Sequence, residues 1–190
     1  MSNKTYIAIG ILLLLFVVPV LWYVSTYNSL VSKDNDVEAK WQQVEVQYQR
    51  RMDLIPNLVN TVKGYAGFEQ KVLTDVTELR SRWQGATTKE GKISAAGEFE
   101  TALGRLIAVA ENYPDLKANQ NFLALQDELA NTENKIAVER QRYNEAVRDY
   151  NIAIASIPTK FVASNMGITK KPYFEAKTGA EEPPQVNISI

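Results

Sequence analysis

The chain has 190 residues, of which 45% are hydrophobic and 23% are charged, so it is neither a disordered chain nor a protein with many membrane spans. Its 21 lysines and arginines balance 22 acidic residues, which excludes bulk positive charge as a means of binding nucleic acid. It contains no cysteine and no histidine, which excludes disulfides and removes the commonest metal ligand and the commonest general base at neutral pH. We therefore expect no enzyme activity, no cofactor and no nucleic-acid partner.

The first predicted element is an apolar segment near the N-terminus. Residues 7–24 carry no charge, and the uncharged run extends over residues 5–32. At 1.5 Å per residue, the apolar segment forms a helix of about 27 Å, close to the thickness of the hydrocarbon core of a bilayer. Trp22, Tyr23 and Tyr27 stand at its C-terminal end, where an interfacial aromatic belt belongs. This pattern predicts a helix that crosses a membrane once.

We expect residues 1–26 to stay attached to the chain as a transmembrane anchor in the cell (inner) membrane. A cleaved signal peptide is the alternative, but its apolar region usually has about 7–15 residues and precedes a small-residue cleavage site, which this segment lacks. Lys4 precedes the segment, and Lys33 and Lys40 follow it, so the lysines bias its orientation only weakly. We favour the extracytoplasmic side for the soluble part.

Two amphipathic helices are predicted after the anchor. In the first, apolar residues recur at helical spacings of three and four or sums of these. They are Leu30, Val37, Trp41, Val44, Tyr48 and Ile55. The residue before a proline avoids the α region, so this helix is predicted to end or kink at Pro56. Pro56 suits the first turn of the second helix, which ends near Gly85. A single helix that continues through Pro56 is the alternative.

A third helix follows a polar turn. Thr87 and Glu90 have the spacing of a capping box, so this helix is predicted to run from the turn to about Asn112. Gly97 and Gly104 share one of its faces, although each glycine costs about 1 kcal/mol relative to alanine in a helix. Their spacing indicates either close approach by a neighbouring helix or a frayed, mobile helix.

A fourth helix and a tail complete the chain. The helix is predicted from Pro114 to Ile157, because Pro114 fits a first helical position and Pro158 ends the periodic pattern. We interpret residues 158–190 as an extended tail, parts of which dock through apolar clusters. Residues 186–190 alternate apolar and polar side chains, which predicts a short strand that pairs with other copies or with a partner's sheet. A disordered end is the alternative.

Two long strings of residues carry a family resemblance. Residues 50–66 read RRMDLIPNLVNTVKGYA, and residues 111–147 read ENYPDLKANQNFLALQDELANTENKIAVERQRYNEAV. With the opening YNSLV at residues 27–31, they closely resemble the LemA family of bacterial membrane-anchored helical proteins. The resemblance covers about residues 1–175. It implies an architecture and a location but no reaction, because the family has no agreed biochemical activity.

By this resemblance the fold is all-α. It consists of a single N-terminal transmembrane helix, an elongated up-and-down four-helix bundle and an extended C-terminal tail. The corresponding segments are residues 1–26, 27–157 and 158–190. A long, kinked antiparallel helical hairpin is the alternative, because the predicted fourth helix is longer than the others.

Several polar residues fall on the predicted apolar stripes. On the fourth helix, Glu133 and Arg140 occupy a heptad row that continues with apolar residues. The full predicted interior polar set consists of Arg51, Glu69, Gln126, Glu133 and Arg140. We interpret it as a buried, hydrogen-bonded ion network that fixes helix register. The alternatives are a polar cavity that binds a small ligand or cation, and outward-pointing Gln126 and Arg140 side chains that contact a partner.

A second group of polar residues surrounds the two prolines that interrupt the predicted helices, Pro56 and Pro114. They are Arg50, Asp53, Asn57, Glu111, Asp115 and Asn119. In an up-and-down bundle these two interruptions lie at the same end. The group is therefore either a set of helix caps or a partner-binding surface.

Known catalytic patterns are absent from the sequence. A di-iron site in a helical bundle needs histidines, an EF-hand loop is lacking, and no phosphate-binding loop or nucleophile elbow is found. We assign no catalytic, cofactor-binding or metal-binding residue. The favoured function is a membrane-anchored scaffold or assembly protein that acts through self-association or through another membrane-associated protein. A ligand-sensing module with a polar site inside the bundle is the alternative.

Overall fold

The structure, a computed structural model, describes residues 3–65 and 69–174. Within these ranges the chain is all-helical and contains no strand. The helices are α1 (Asn3–Lys63), α2 (Gln70–Gly85), α3 (Lys89–Ala110), α4 (Pro114–Lys117), α5 (Gln120–Ala155) and α6 (Thr159–Asn165). The predicted all-α fold with a long apolar helix at its N-terminus is confirmed.

The chain divides into two compact units. Among the described residues, the hairpin unit comprises those up to Gln43 and Gln141–Lys171, and the bundle unit comprises those from Val44 to Arg140 and from Pro172 to Phe174. Both α1 and α5 contribute residues to each unit. The segment boundaries predicted at residues 26 and 157 separate the membrane anchor, the bundle and the tail, and do not correspond to the boundaries of the two compact units. They stay predictions.

Helix α1 does not end at Pro56, so the predicted end of the first helix there is wrong. A proline has no N–H, which leaves the carbonyl of Met52, four residues earlier, without its helical donor. Arg80 of α2 supplies a replacement, because its Nε donates a hydrogen bond to that carbonyl at 3.0 Å. The helix continues to Lys63, and the second helix begins only at Gln70.

The bundle unit has an apolar core to which four helical segments contribute. Its fully buried side chains on α1, α2, α3 and α5 include Met52, Ile55, Leu58, Val76, Phe99, Leu103, Leu106, Phe122 and Ile136. Arg51 of α1 pairs with Glu133 of α5. Tyr48 lies one turn before Arg51 on α1, and it contacts Arg140, which lies two turns after Glu133 on α5. These two helices therefore run antiparallel. This agrees with the up-and-down arrangement that the family resemblance implies.

The cap of α3 lies one residue after the predicted one. Thr88, not Thr87, is the N-cap, and its Oγ1 accepts a hydrogen bond from the N–H of Gly91 at 3.1 Å. A Cβ at position 91 would lie 3.0 Å from the Thr88 hydroxyl oxygen. Glycine at this position therefore leaves room for the Thr88 side chain to cap the helix. Glu90 places a negative charge in the first turn, near the positive end of the helix dipole.

The predicted fourth helix is two helices. The short α4 ends at Lys117, and α5 begins at Gln120. The Oδ1 atom of Asn119 accepts hydrogen bonds from the N–H groups of Asn121 at 2.9 Å and Phe122 at 3.2 Å. These bonds satisfy N–H groups that have no partner within the first turn, so Asn119 starts a new helix. At the other end, α5 stops at Ala155, before Pro158, near the predicted place.

The hairpin unit is formed by the first part of α1, the last part of α5, and α6. The rings of Trp41 on α1 and Tyr143 on α5 pack edge to face, with centroids 5.4 Å apart. Leu30, Val37 and Val147 are buried on the facing stripes. The apolar stripe predicted from Leu30 onward therefore forms the contact face of α1.

Helix α6 corrects the prediction that the tail is extended from residue 158. It buries Val162 and Ala163, and Asn165 donates its Nδ2 to the hydroxyl of Tyr23 at 2.9 Å. The sequence does not predict α6, because helical periodicity is recognised only over a longer stretch than its seven residues. The prolines on either side of it also favour an extended interpretation.

After α6 the chain returns along α5 without regular structure. The Asn151 side chain holds the backbone of Lys171 at two points, since Oδ1 accepts from its N–H at 2.9 Å and Nδ2 donates to its carbonyl at 3.0 Å. The Lys171 ammonium pairs with Asp34 at 2.6 Å. In the bundle unit, Phe174 is buried, as expected for a docked apolar cluster. The predicted strand at residues 186–190 lies outside the described residues.

Candidate functional site

Five side chains form a continuous polar group inside the bundle unit, which we call the Tyr48 network: Tyr48, Arg51, Glu100, Glu133 and Arg140. The Tyr48 hydroxyl donates a hydrogen bond to Glu100 at 2.8 Å and accepts one from Arg140. Arg140 also pairs with Glu100. Arg51 pairs with Glu133 and lies 4.0 Å from Glu100. The network joins α1, α3 and α5 through polar contacts.

Helical spacing explains how these residues meet. Tyr48 and Arg51 are three residues apart on α1, and Glu133 and Arg140 are seven apart on α5, so each pair shares a face of its helix. Glu100 follows Phe99, which is fully buried on α3. The antiparallel course of α1 and α5 then brings each arginine next to an acid.

The charges of the network balance one another, since it contains two arginines and two glutamates. Burial is uneven: the side chains of Glu100 and Arg51 are 5% and 8% exposed, whereas that of Glu133 is 46% exposed. A buried charge is costly unless it is paired and hydrogen-bonded. Glu100 is the most deeply placed charge, and it is held by Tyr48 and both arginines. Glu133 lies at the solvent edge of the network.

Burial raises the pKa of the Tyr48 phenol well above its ordinary value of 10.0, and the Glu100 carboxylate raises it further. The Arg140 guanidinium acts in the opposite direction but does not cancel the increase. The phenol therefore stays protonated at neutral pH and remains a hydrogen-bond donor to Glu100. This fixes the direction of that hydrogen bond.

Aromatic rings surround the polar atoms. The Tyr48 ring lies 5.7 Å from the ring of Trp83 on α2 and stacks on Phe174 at 6.5 Å. The Arg140 guanidinium lies 5.4 Å from the centre of the Tyr48 ring and 5.0 Å from that of Phe174. These distances fit cation–π contacts. The tail segment at Phe174 thus covers one side of the network.

The predicted interior polar set is only partly assembled. Arg51, Glu133 and Arg140 meet in the network. The interior placement of Glu69 is wrong, because α1 continues past Pro56 and leaves Glu69 exposed in the connection before α2. Gln126 is half-buried on α5, two turns before Glu133, and lies outside the network.

Sequence reasoning missed two members of the network, Tyr48 and Glu100. The spacing places Tyr48 on the apolar stripe of α1, but a buried tyrosine hydroxyl also needs a hydrogen-bond partner. Glu100 lies four residues after Ala96 and three before Leu103, both of which are buried. An acid at a stripe position of α3 was the signal that could have identified it.

Three buried polar atoms of the described chain have no hydrogen-bond partner: Nε of Arg51, Nε of Arg140 and Oε1 of Gln47. Two of them belong to the network. Each guanidinium contacts an acid through a terminal nitrogen, and its Nε stays without a partner. Among the described residues, no group of three or more Asp, Glu, His or Cys side chains could hold a metal ion.

The six residues predicted around the prolines are divided between α1 and the connection from α3 to α5. They are Arg50, Asp53, Asn57, Glu111, Asp115 and Asn119. Asp53 lies ten residues before the end of α1, which is about 15 Å along the axis. Asp53 accepts a hydrogen bond from Gln49 at 2.7 Å, and Arg50 and Asn57 are exposed on the same helix.

The other three of these residues lie between α3 and α5. Glu111 is the C-cap of α3, Asp115 is in the first turn of α4, and Asn119 caps α5. Asn119 also donates its Nδ2 to the hydroxyl of Tyr65, just after α1, at 2.9 Å. The capping alternative therefore accounts for Asn119, and a partner surface at this end stays a prediction.

These features define a class: an all-helical protein in which charged side chains pair within the bundle and one N-terminal helix is long and apolar enough to cross a membrane. The chain belongs to the LemA family, whose sequence model matches residues 40–188. The predicted resemblance is confirmed. The apolar segment itself precedes the matched residues.

Relatives with curated descriptions are similar over most of their lengths. Magnetosome protein MamQ 2 of Paramagnetospirillum magneticum (strain ATCC 700264 / AMB-1) is 28% identical over 202 residues, which cover 90% of this chain and 74% of the relative. Magnetosome protein MamQ of Magnetospirillum gryphiswaldense is 28% identical over 183 residues, covering 83% and 67%. Protein LemA of Metamycoplasma hominis is 24% identical over 155 residues, covering 81% and 71%. None of these names states a reaction.

Proposed function

We propose that the protein is a membrane-anchored helical scaffold that acts in assembly, through contacts with other copies or with another membrane-associated protein. One observation carries the anchoring part of this proposal. Residues 10–24 of α1 are exposed on every side, and an 18-residue stretch of this helix has a mean hydropathy of 2.0. Burying a Leu, Val or Phe side chain stabilises by about 1.5–3 kcal/mol. A bilayer provides that burial for the whole segment at once.

The proposed orientation places the bundle on the extracytoplasmic side of the inner membrane. This orientation follows from the lysines on the two sides of the apolar segment. Cytoplasmic placement of the bundle is the opposite outcome. Accessibility of residues in the bundle unit to an impermeant reagent in intact cells distinguishes the two.

A non-enzymatic role is supported by the state of the buried charges. The acids of the Tyr48 network are engaged by arginines and by a protonated phenol, so neither is placed to act as a base on a bound substrate. The chain also lacks histidine and cysteine. The network acts on this account as a structural lock between three helices. The relatives named for the magnetosome are named for a cellular structure, which also favours an assembly role.

Self-association is supported by the outer face of α3. A Cβ built at Gly97 or at Gly104 meets no atom within 4 Å, so the close approach of a neighbouring helix predicted here does not occur within the described chain. Each glycine weakens the helix by about 1 kcal/mol relative to alanine. Close packing against another copy would offset that loss.

A bulky substitution on this face tests the assembly proposal. The full chain in detergent or nanodiscs should form an oligomer whose mass falls in the Gly104→Leu variant, because leucine prevents close helix contact. Ala130→Leu, at an exposed position of α5, is the matched control and should keep the wild-type mass. Light scattering gives the masses. A wild-type chain that is monomeric, and that co-purifies with no other membrane protein in mild detergent, would contradict the proposal.

A ligand-sensing role is the second candidate, and the buried, unpartnered Nε atoms of Arg51 and Arg140 favour it. A small polar ligand that reached both atoms would raise the unfolding temperature of the chain. The test is a thermal-shift screen against metabolites and divalent cations, repeated with Arg140→Gln. A temperature increase in the wild type that is lost in this variant supports ligand sensing, and no increase with any compound contradicts it.

A further inference from the structure

The corner between α5 and α6 exposes two large apolar side chains. Ile157 is 78% exposed and Phe161 is 69% exposed, which makes them the most exposed large hydrophobic residues outside α1 in the described chain. They are four residues apart, on either side of Pro158. The neighbouring Val162 and Ala163 are buried, so α6 has an inner face packed in the hairpin unit and an outer face left uncovered.

The position of this corner along α1 is fixed by a hydrogen bond. Asn165, the last residue of α6, donates to the hydroxyl of Tyr23 at 2.9 Å. Tyr23 stands at the C-terminal end of the exposed apolar segment, between Trp22 and Tyr27. Aromatic residues at the end of a membrane-spanning helix lie at the level of the lipid headgroups. In a chain anchored by this helix, α6 lies at that level too.

The charge of the segment matches this position. Residues 150–174 contain three lysines and no acid. Lys171 is paired with Asp34, whereas Lys160 is exposed beside Phe161. A lysine next to exposed apolar side chains is typical of segments that bind at a membrane interface. The methylene groups of the lysine side chain are apolar, and its ammonium group reaches the lipid phosphates.

We propose that the corner formed by residues 156–165 is a second membrane contact. Ile157 and Phe161 enter the headgroup region of the bilayer that holds α1, and Lys160 binds the phosphate groups of anionic lipids. The proposal rests on the proposed anchoring of α1. On this proposal the hairpin unit contacts the membrane at two places, through α1 and through this corner, and is not attached through α1 alone.

The absence of cysteine from the chain allows a direct test with single labels. The full-length protein is reconstituted in vesicles of phosphatidylcholine with phosphatidylglycerol, and one residue at a time is replaced by cysteine and labelled with an environment-sensitive fluorophore. The positions are Phe161→Cys and Thr159→Cys at the corner, Leu14→Cys in the anchor, and Val138→Cys as an exposed apolar control in the bundle unit. Thr159→Cys keeps both apolar side chains of the corner. Lipids that carry a nitroxide near the headgroup or deep in the acyl chain act as quenchers.

Both corner labels should emit at shorter wavelength than the Val138→Cys label and should be quenched by the headgroup nitroxide. The Leu14→Cys label should be quenched by the deep nitroxide. Lys160→Glu should reduce quenching at position 159 in vesicles that contain phosphatidylglycerol, and should change it less in phosphatidylcholine alone, because the lysine then has no anionic lipid to bind.

Three outcomes would overturn the inference or its basis, and they can be told apart. Corner labels that behave like the Val138→Cys label, with the Leu14→Cys label deeply quenched, reject the second contact and keep the anchor. Corner labels shielded from water but not quenched by any nitroxide lipid indicate that another copy of the chain covers the corner. A Leu14→Cys label without deep quenching rejects the anchor itself.

Discussion

Removal of the Glu100 carboxylate is the most informative perturbation of the Tyr48 network. In Glu100→Ala, the Tyr48 hydroxyl loses its acceptor, Arg140 loses its only acidic partner within the network, and Arg51 loses a charge 4.0 Å away. Breaking a buried ion pair by removing one partner costs about 3–5 kcal/mol, since the other charge stays buried. Because Glu100 is 5% exposed, we expect a loss near this range.

Glu98→Ala is the matched control, because Glu98 lies on the same helix and pairs with Arg82 at an exposed site. Exposed pairs of this kind contribute about 0–1 kcal/mol. Glu133→Ala should cost less than Glu100→Ala, because Glu133 is 46% exposed and the buried Arg51 keeps Glu100 at 4.0 Å. The burial of Glu100, and not the place of Glu133 on the heptad row, therefore decides which of the two acids gives the larger loss.

Urea denaturation of the full chain in detergent, followed by circular dichroism, measures these differences. With a slope of about 2 kcal/mol per M, a loss of about 3 kcal/mol lowers the midpoint by about 1.5 M. Glu100→Gln should fall between wild type and Glu100→Ala, because the amide keeps an acceptor for Tyr48 but loses the charge. Equal midpoints for Glu100→Ala and Glu98→Ala would show that the network is not a buried structural lock.

Three further substitutions test other parts of the fold. Arg80→Leu should cost about 1–3 kcal/mol by leaving the Met52 carbonyl without a donor, and the cost should shrink in a Pro56→Ala background, where the residue at position 56 regains its N–H. Asn119→Ala should cost about 1 kcal/mol, because it removes the cap of α5. The stability difference between wild type and Tyr48→Phe should shrink as the pH rises above 10. The raised pKa keeps the phenol protonated in the folded state, while the phenol of the unfolded state ionises. The unfolded state then binds fewer protons, so the free energy of unfolding of the wild type falls with increasing pH.

Each of these three measurements has an outcome that counts against its physical basis. An Arg80→Leu loss that is the same with proline or alanine at position 56 would show that Arg80 acts through other contacts. Asn121→Ala, which alters a neighbouring side chain without removing the cap, should have little effect, and a loss equal to that of Asn119→Ala would argue against capping. A wild-type to Tyr48→Phe difference that stays constant above pH 10 would mean that the phenol is not held protonated.

Much of the helical fold could be predicted from the sequence, because burial on one face leaves a periodic pattern. The stripe from Leu30 to Ile55 predicts the buried face of α1 correctly. The end of α1 could not be predicted in this way. The rule that proline interrupts a helix is local, and the Arg80 side chain that satisfies the Met52 carbonyl comes from another helix. Asn119, by contrast, is a strong local cap signal that explains why α5 begins where it does.

In the candidate site, too, spacing along one helix could be predicted from the sequence, whereas contacts with another helix could not. Arg51, Glu133 and Arg140 could be identified because a charge interrupts an apolar row. Their partner Glu100 lies on another helix, so the pairing depends on how α3 packs and not on the spacing along α1 or α5. The interior position predicted for Glu69 requires a helix that begins at Pro56, whereas α2 begins at Gln70 and Glu69 precedes it.

Intact-mass spectrometry of the protein from carbonate-washed membranes shows whether α1 holds the intact chain in a membrane. We expect the chain to stay in the membrane pellet and to have the mass of the full sequence, with the apolar segment of residues 7–24 retained. Recovery in the soluble fraction, or a mature chain that begins after residue 24, would contradict it.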